Sequence, residues 1–397
     1  MKIASRCVHV DDDGCSDIYG AVVPPIYQTA TFRQPFATEF GEYDYTRSGN
    51  PTRHLLERQL AALEGGHHAC GFASGMAAIT ALTRLVKPGE EILAGNDLYG
   101  GTVRFFDQVL MHRGIVVKYV DTTDLVAVRE QLSAGTKLLW IETPSNPLLR
   151  ISDIQALANL AHKSDAILVV DNSMLSPSLQ QPLQFGADVV VHSATKFLCG
   201  HSDVTAGVVI TNSKAIYDRL AFLQNAEGAG LSPFDSWLLL RGIKTLALRV
   251  EKQNLSAQLI AERLTQFAGV KRVFYPGLGE HEGYALNRNQ ATGSGAVISF
   301  TTDDPEFSQK IVESTELFDI AVSFGSVGSV ISLPCHMSHA SIPKALQGQL
   351  APPSDLVRVS IGIEDVDDLI EDLVQAFDRA IQTSDTRTSE KIALSVN

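Results

Sequence analysis

At 397 residues, with 45% of them hydrophobic, the chain is long enough for two or three packed units with sizeable cores. A net charge of −13, without any long basic run, argues against nucleic acid or an anionic membrane surface as partner. The five cysteines (Cys7, Cys15, Cys70, Cys199, Cys335) are odd in number and lack CxxC or metal-ligand spacing, which indicates free thiols in a reducing compartment; no stretch has the length of a membrane span or the h-region of a signal peptide.

Residues 1 to about 50 mix acidic, proline and aromatic residues with no helix or strand period and end in Tyr43-Asp44-Tyr45-Thr46-Arg47-Ser48-Gly49-Asn50-Pro51-Thr52. Taken alone this is a solvated arm that needs a surface to lie on. Gly71-Phe72-Ala73-Ser74-Gly75-Met76 then leads into a helix expected over residues 77–86, where Met76, Ile79, Leu82 and Val86 keep helical spacing and Pro88-Gly89 stops it. Small residues at such a start let backbone amides approach an anion, and the helix dipole favours negative charge there, although Ser-Gly before a helix is also ordinary capping.

Strands are expected over residues 91–94, 114–120, 137–141, 166–170, 187–191 and 207–211, with helices between them. That alternation predicts an α/β fold, a mostly parallel sheet covered by helices on both faces, with ligands at the carboxyl ends of the strands. Near residue 235 the rhythm changes. Residues 242–267 read as one long amphipathic connector, followed by a looser α+β mixture with strands at 273–275 and 296–301 and a last helix over 366–381. The organisation expected is an arm (1–50), an α/β domain (51–240), a smaller α+β domain (241–382) and a disordered tail (383–397).

The chemistry is concentrated in His192-Ser193-Ala194-Thr195-Lys196-Phe197-Leu198-Cys199-Gly200-His201, which follows a β-branched run. A lysine at the mouth of a buried strand is costly, unless an aldehyde cofactor stores its amine as a Schiff base. One β-α-β unit upstream, another buried run ends in Asp171, and a crossover between neighbouring parallel strands sets Asp171 and Lys196 at one sheet edge. A lysine for the aldehyde and an acid for the pyridine nitrogen are what pyridoxal phosphate requires, with Ser193 and Thr195 as phosphate donors. Each residue alone has a blander reading, as a solvated loop lysine or a helix-capping aspartate. Cys199 reads as a small buried filler rather than a nucleophile.

Val170-Asp171-Asn172-Ser173 together with Ser193-Ala194-Thr195-Lys196 resembles the Cys/Met-metabolism, or trans-sulfuration, family of pyridoxal-phosphate enzymes, over about Tyr19 to Ala380. Within it, Gln224-Asn225-Ala226-Glu227-Gly228 and Ile320-Ala321-Val322-Ser323-Phe324-Gly325-Ser326-Val327 are most similar to the plant-type β-lyases. The resemblance implies an aminotransferase-like (fold type I) large domain with a smaller C-terminal one, and pyridoxal 5′-phosphate on Lys196. It also implies a phosphate cradle on the amides of Gly75 and Met76, and Tyr99 stacked on the ring and protonating the leaving thiolate, a role shared with Lys196. Substrate contacts follow at Arg358, in a strand around residues 356–362, at Ser323 beside it, and at Asn146 in Glu142-Thr143-Pro144-Ser145-Asn146-Pro147. Tyr45 and Arg47 are implied to bind the phosphate of a neighbouring subunit's cofactor, in a tetramer built as a dimer of dimers.

The sequence departs from the family's commoner Ser-Leu-Gly-Gly by reading Ser323-Phe324-Gly325-Ser326. Members that act at Cγ carry a glutamate before that serine, whereas this chain has Val322, so the implied reaction is β-elimination of L-cystathionine to homocysteine, pyruvate and ammonia. γ-Lyase, γ-synthase and methionine γ-lyase chemistry are the alternatives. A nicotinamide dehydrogenase lacks its GxGxxG fingerprint here, and a non-catalytic binding protein is the remaining class. HExxH, GxSxG and P-loop patterns are absent, and the adjacent His67-His68 diverge on any regular element, so no metal is expected. Plastid members carry a transit peptide, for which there is no room before the first motif; the chain reads as cytoplasmic, or as one whose leader has been trimmed.

Overall fold

The computed structural model describes residues 1–9, 19–340, 342 and 344–395. Cys15 and the last two residues of the expected tail lie outside them. Seven strands form the first sheet: β1 (His68–Phe72), β2 (Glu91–Gly95), β3 (Val116–Val120), β4 (Thr136–Glu142), β5 (Ile167–Asp171), β6 (Val189–Ser193) and β7 (Gly207–Thr211). Their order is β1-β7-β6-β5-β4-β2-β3, parallel throughout except that β7 runs antiparallel to both neighbours. The centre, β4 to β6, is almost wholly buried and rich in Val, Ile and Leu, as a parallel sheet covered on both faces must be. Of these seven, β1 alone had no signal in the sequence. His68-Ala69-Cys70-Gly71-Phe72 contains no β-branched residue, and its strand state follows from five-residue pairing with β7, a tertiary effect that propensity does not report.

Helices end where their chemistry dictates. Pro51–Glu64 begins with Pro51 at its first position, its N-cap Asn50 accepting from the Thr52 amide at 2.9 Å, and stops at Gly65 in the left-handed region, φ 71°. The expected connector over 242–267 is the single helix Leu246–Leu264, beginning four residues late because residues 242–243 close the preceding helix, Pro233–Ile243. The Gly242 carbonyl at the break accepts from the Thr245 amide and hydroxyl, both at 3.2 Å, and from Arg249 Nη2 at 2.9 Å, side-chain donors that supplement the backbone where the helix ends.

The second sheet holds β8 (Arg272–Phe274), β9 (Val297–Thr301), β10 (Asp319–Ile320), β11 (Val330–Ser332) and β12 (Val357–Ser360), in the order β10-β11-β12-β9-β8. Helices Pro305–Ser314 and Val366–Ser395 pack with it, and the Phe377 ring meets Phe267, Phe300 and Phe307. The last helix continues to Ser395, past the point where an unstructured tail was expected from residue 383. One hydrophobic core runs from Leu56 and Leu60 through Phe197 and Leu246 to Phe300 and Phe377, so both sheets share it. Among the described residues no helix is long and apolar enough to cross a membrane, and no His/Cys/Asp/Glu cluster could hold a metal ion.

Candidate active site

The carboxyl ends of β4, β5 and β6 lie side by side, with Glu142 in register with Asp171 and Asp171 with Val191. They open on a cavity of about 460 Å³. Lys196, Asp171, Ser193, Thr195, Gly75, Met76, Tyr99, Asn146, Ser323 and Arg358, ten of the twelve residues singled out in the sequence, line it. Tyr45 and Arg47 do not. They sit exposed on the arm, where Arg47 Nη1 donates to the backbone and side-chain oxygens of Asn225, both at 2.8 Å, and its guanidinium lies 5.4 Å from the Tyr45 ring centre.

Lys196 Nζ donates to Ser323 Oγ at 2.5 Å and lies 4.8 Å from the centre of the Phe324 ring. Burial in this cavity, reinforced by the Arg358 charge, brings its amine down to about 8, despite the opposing pull of Asp171 and Glu142. Asp171 is 7% exposed, and desolvation raises its carboxyl above the usual range against the hydrogen bonds of Ser173, whose amide donates at 2.9 Å. Ser173 Oγ in turn accepts from the Ser193 amide at 2.7 Å, tying β5 to β6. Glu142 is pushed well up by burial and by neighbouring Asp171; it accepts from the Tyr99 amide at 3.0 Å and so fixes the loop on which the tyrosine sits.

The second sheet supplies a cation. Arg358, 2% exposed on β12, donates from Nη1 to Asn146 Oδ1 at 2.8 Å and from Nη2 to the Ser323 carbonyl at 3.0 Å; burial lowers it to about 10, still charged at neutral pH. Ser323 adopts φ 87° although it is not glycine, a strained conformation that lets its hydroxyl meet Lys196 while its carbonyl meets Arg358. Ser74, Ser173, Glu142, Phe324 and Arg104 also line the cavity and were not singled out. Ser173, two residues after the carboxylate, and Ser74, at a helix start, carried a local signal; Phe324 and Arg104 carried none.

Helix Gly75–Thr83 points its N-terminus at the cavity, with Ser74 Oγ accepting from the Ala77 amide at 3.0 Å. A Cβ on Gly75 would fall 3.0 Å from Ser193 Cβ, and one on Gly207 would fall 2.2 Å from the Ser74 carbonyl oxygen. The absence of side chains at both positions is what lets the cradle close. A desolvated amine, a buried carboxyl and a helix N-terminus around one cavity fit an aldehyde-bearing, ring-nitrogen-bearing phosphate ester. Cys199 is buried, donates to Asp203 at 3.2 Å and has its thiol raised to about 11, chiefly by desolvation, so it is inert filler.

Fold and cavity together define a pyridoxal-phosphate-dependent enzyme of the aminotransferase-like class. The comparisons with known proteins narrow this. Residues 4–378 match the family described as Cys/Met metabolism PLP-dependent enzymes, and the chain belongs to that family. It is 53% identical over 368 residues to a chloroplastic cystathionine β-lyase of Arabidopsis thaliana, covering 93% of this chain and 79% of the relative. It is 46% identical to a cystathionine β-lyase of Lactococcus lactis subsp. cremoris, covering 91% and 95%. Among solved structures, cystathionine γ-synthase from Xanthomonas oryzae pv. oryzae in complex with cystathionine superposes with a TM-score of 0.93 at 40% identity, covering 96% of this chain and 99% of that one.

Proposed function

We propose that this chain is a pyridoxal-phosphate-dependent carbon–sulfur lyase that cleaves L-cystathionine at Cβ, giving homocysteine, pyruvate and ammonia in methionine biosynthesis. The observation that supports it most directly is Val322, an apolar residue at the cavity mouth beside Ser323 and Lys196. A carboxylate there would attract the distal ammonium of cystathionine and suit chemistry at Cγ. An apolar wall does not.

When bound, the cofactor supplies an electron sink for the charge developing at the substrate Cα. Asp171 keeps the proton on its ring nitrogen. The amides of Gly75 and Met76, with Ser193 and Thr195, hold its phosphate at the helix N-terminus. Arg358 clamps the substrate carboxylate with its planar fork, Asn146 orients that fork, and Ser323 stands beside it. Lys196, whose amine is brought down to about 8 by burial, removes the Cα proton. Tyr99 or Lys196 then delivers a proton to the departing sulfur.

We also infer that Tyr45 and Arg47 serve the phosphate site of a neighbouring subunit, in a tetramer made as a dimer of dimers. Their exposure and their position outside their own cavity support this. Free thiols at Cys7, Cys70, Cys199 and Cys335 suit a reducing compartment, and the cytoplasm is the one we infer. Product analysis with L-cystathionine tests the reaction. Pyruvate with homocysteine is expected, whereas 2-oxobutyrate with cysteine overturns the β assignment.

A further inference from the structure

Beneath the last turn of the arm lies a buried cation that the reaction does not use. Arg53, in helix Pro51–Glu64, is 1% exposed. Its Nη1 donates to the Thr46 carbonyl at 2.8 Å and to the Leu231 carbonyl at 3.4 Å, and its Nη2 donates to the Arg47 carbonyl at 3.2 Å. Nε faces Glu57 Oε1 at 3.7 Å and is without a hydrogen bond. Glu57 is itself committed: the same oxygen accepts from the Gly71 amide at 2.7 Å and from Gln224 Nε2 at 3.2 Å. Gln224 Nε2 also donates to the Gly71 carbonyl at 2.6 Å, and the next residue, Asn225, takes the Arg47 guanidinium.

Burying a guanidinium is expensive unless its charge is balanced and its donors are used. Glu57 balances the charge, and the Nη donors are spent on the carbonyls of Thr46, Leu231 and Arg47. A planar fork of fixed geometry sets the direction of both peptide units at once, which a lysine ammonium cannot do. Gly230 packs closely enough that a Cβ on it would fall 3.0 Å from Nη1, so the fork has little freedom to swing. We propose that Arg53 is the positioning residue of the arm, fixing the orientation in which Tyr45 and Arg47 are presented to the cofactor phosphate of the neighbouring subunit. This rests on the shared-site reading above. The competing role is local. Through Glu57 and Gly71, Arg53 also touches the segment leading to its own cradle at Gly75.

Arg53→Lys keeps the charge beside Glu57 and removes the fork. In cofactor-stripped oligomer, titrated with pyridoxal phosphate and followed by the absorbance of the lysine-linked cofactor, the dissociation constant should rise about tenfold, the usual scale for losing a charge-assisted contact. Mixed oligomers of Arg53→Lys and Lys196→Ala chains then separate the roles. The hybrid site that pairs the Lys196 of the first chain with the intact arm of the second should bind cofactor with wild-type affinity. If the weak binding instead stays with the chain carrying Arg53→Lys, whichever arm completes its site, Arg53 serves its own cradle and the proposal fails. Parallel mixtures of Arg47→Ala and Lys196→Ala locate the fault. Recovery there without recovery for Arg53→Lys rejects the positioning role alone, and no recovery in either rejects the shared site and the proposal with it.

Discussion

At the scale of single residues, the site is governed by desolvation. Lys196 is the clearest case, because burial disfavours its ammonium form and leaves the neutral amine, the form the proposed nucleophile and base requires, available near pH 8. In cofactor-free protein, labelling of Lys196 by an amine-selective reagent should therefore rise with a midpoint near pH 8 and level off about 1–2 pH units above it, while surface lysines continue to gain reactivity beyond pH 10. Peptide-resolved mass spectrometry across that range checks it, and a Lys196 midpoint coinciding with the surface lysines would remove the argument. Arg358→Lys retains a cation but cannot hold both Asn146 and a carboxylate in one plane; kcat/KM for cystathionine should fall by about 10- to 100-fold, the scale of a lost charge-assisted hydrogen bond. Steady-state kinetics measure this, and an unchanged value would mean that Arg358 does not contact the substrate. Lys196 and Asp171 were legible because each is a polar residue just after or at the end of a β-branched run, where an apolar one is expected; Arg358 lies in such a run too, but its place in the site came from the family resemblance. Phe324 was not legible, since an aromatic after a serine looks like any loop residue until the second sheet is placed against Lys196.

Elements explain why the cradle is where it is. The six strand positions read from apolar runs all form, whereas β1 was invisible because Ala, Cys and Gly gain strand geometry only from their neighbour β7. The late start of the connector helix was equally hidden, since Thr245 and Arg249 reach the Gly242 carbonyl only in the folded chain. β7 also closes the underside of the proposed phosphate cradle. Gly207 abuts Ser74 so tightly that an added methyl would overlap the Ser74 carbonyl at 2.2 Å. Gly207→Ala must push the start of helix Gly75–Thr83 away from β6. Cofactor affinity should drop at least tenfold, with a loss of stability of about 1–3 kcal/mol, the range for overpacking. Absorbance titration and chemical denaturation measure the two. Ser74→Ala, which removes only the cap, should cost about 1 kcal/mol of stability, so the pair separates steric closure from capping.

For the molecule as a whole, the two sheets matter together because the cavity takes residues from both. Lys196 and Asp171 stand on the first sheet, Arg358 on the second, and a single core joins the two. The seam beside the cavity is held by Val327 donating to the Gly200 carbonyl at 2.9 Å and by Gln253 donating to the Ser326 carbonyl at 2.7 Å. In the middle lies Phe324, its ring centre 4.8 Å from Lys196 Nζ, 5.5 Å from the Arg358 guanidinium and 6.0 Å from the Phe197 ring. One aromatic ring thus keeps the lysine proposed to serve Cα and the arginine proposed to serve the carboxylate at a constant spacing, each contact adding about 0.5–2 kcal/mol. Phe324→Ala should therefore loosen the alignment of the two sheets' contributions without touching the phosphate cradle, lowering kcat/KM about tenfold while cofactor affinity moves less than about threefold. Kinetics alongside a cofactor titration decide it. A parallel loss of both would mean that the ring supports the first sheet alone, and that the two halves of the site are not set against each other through it.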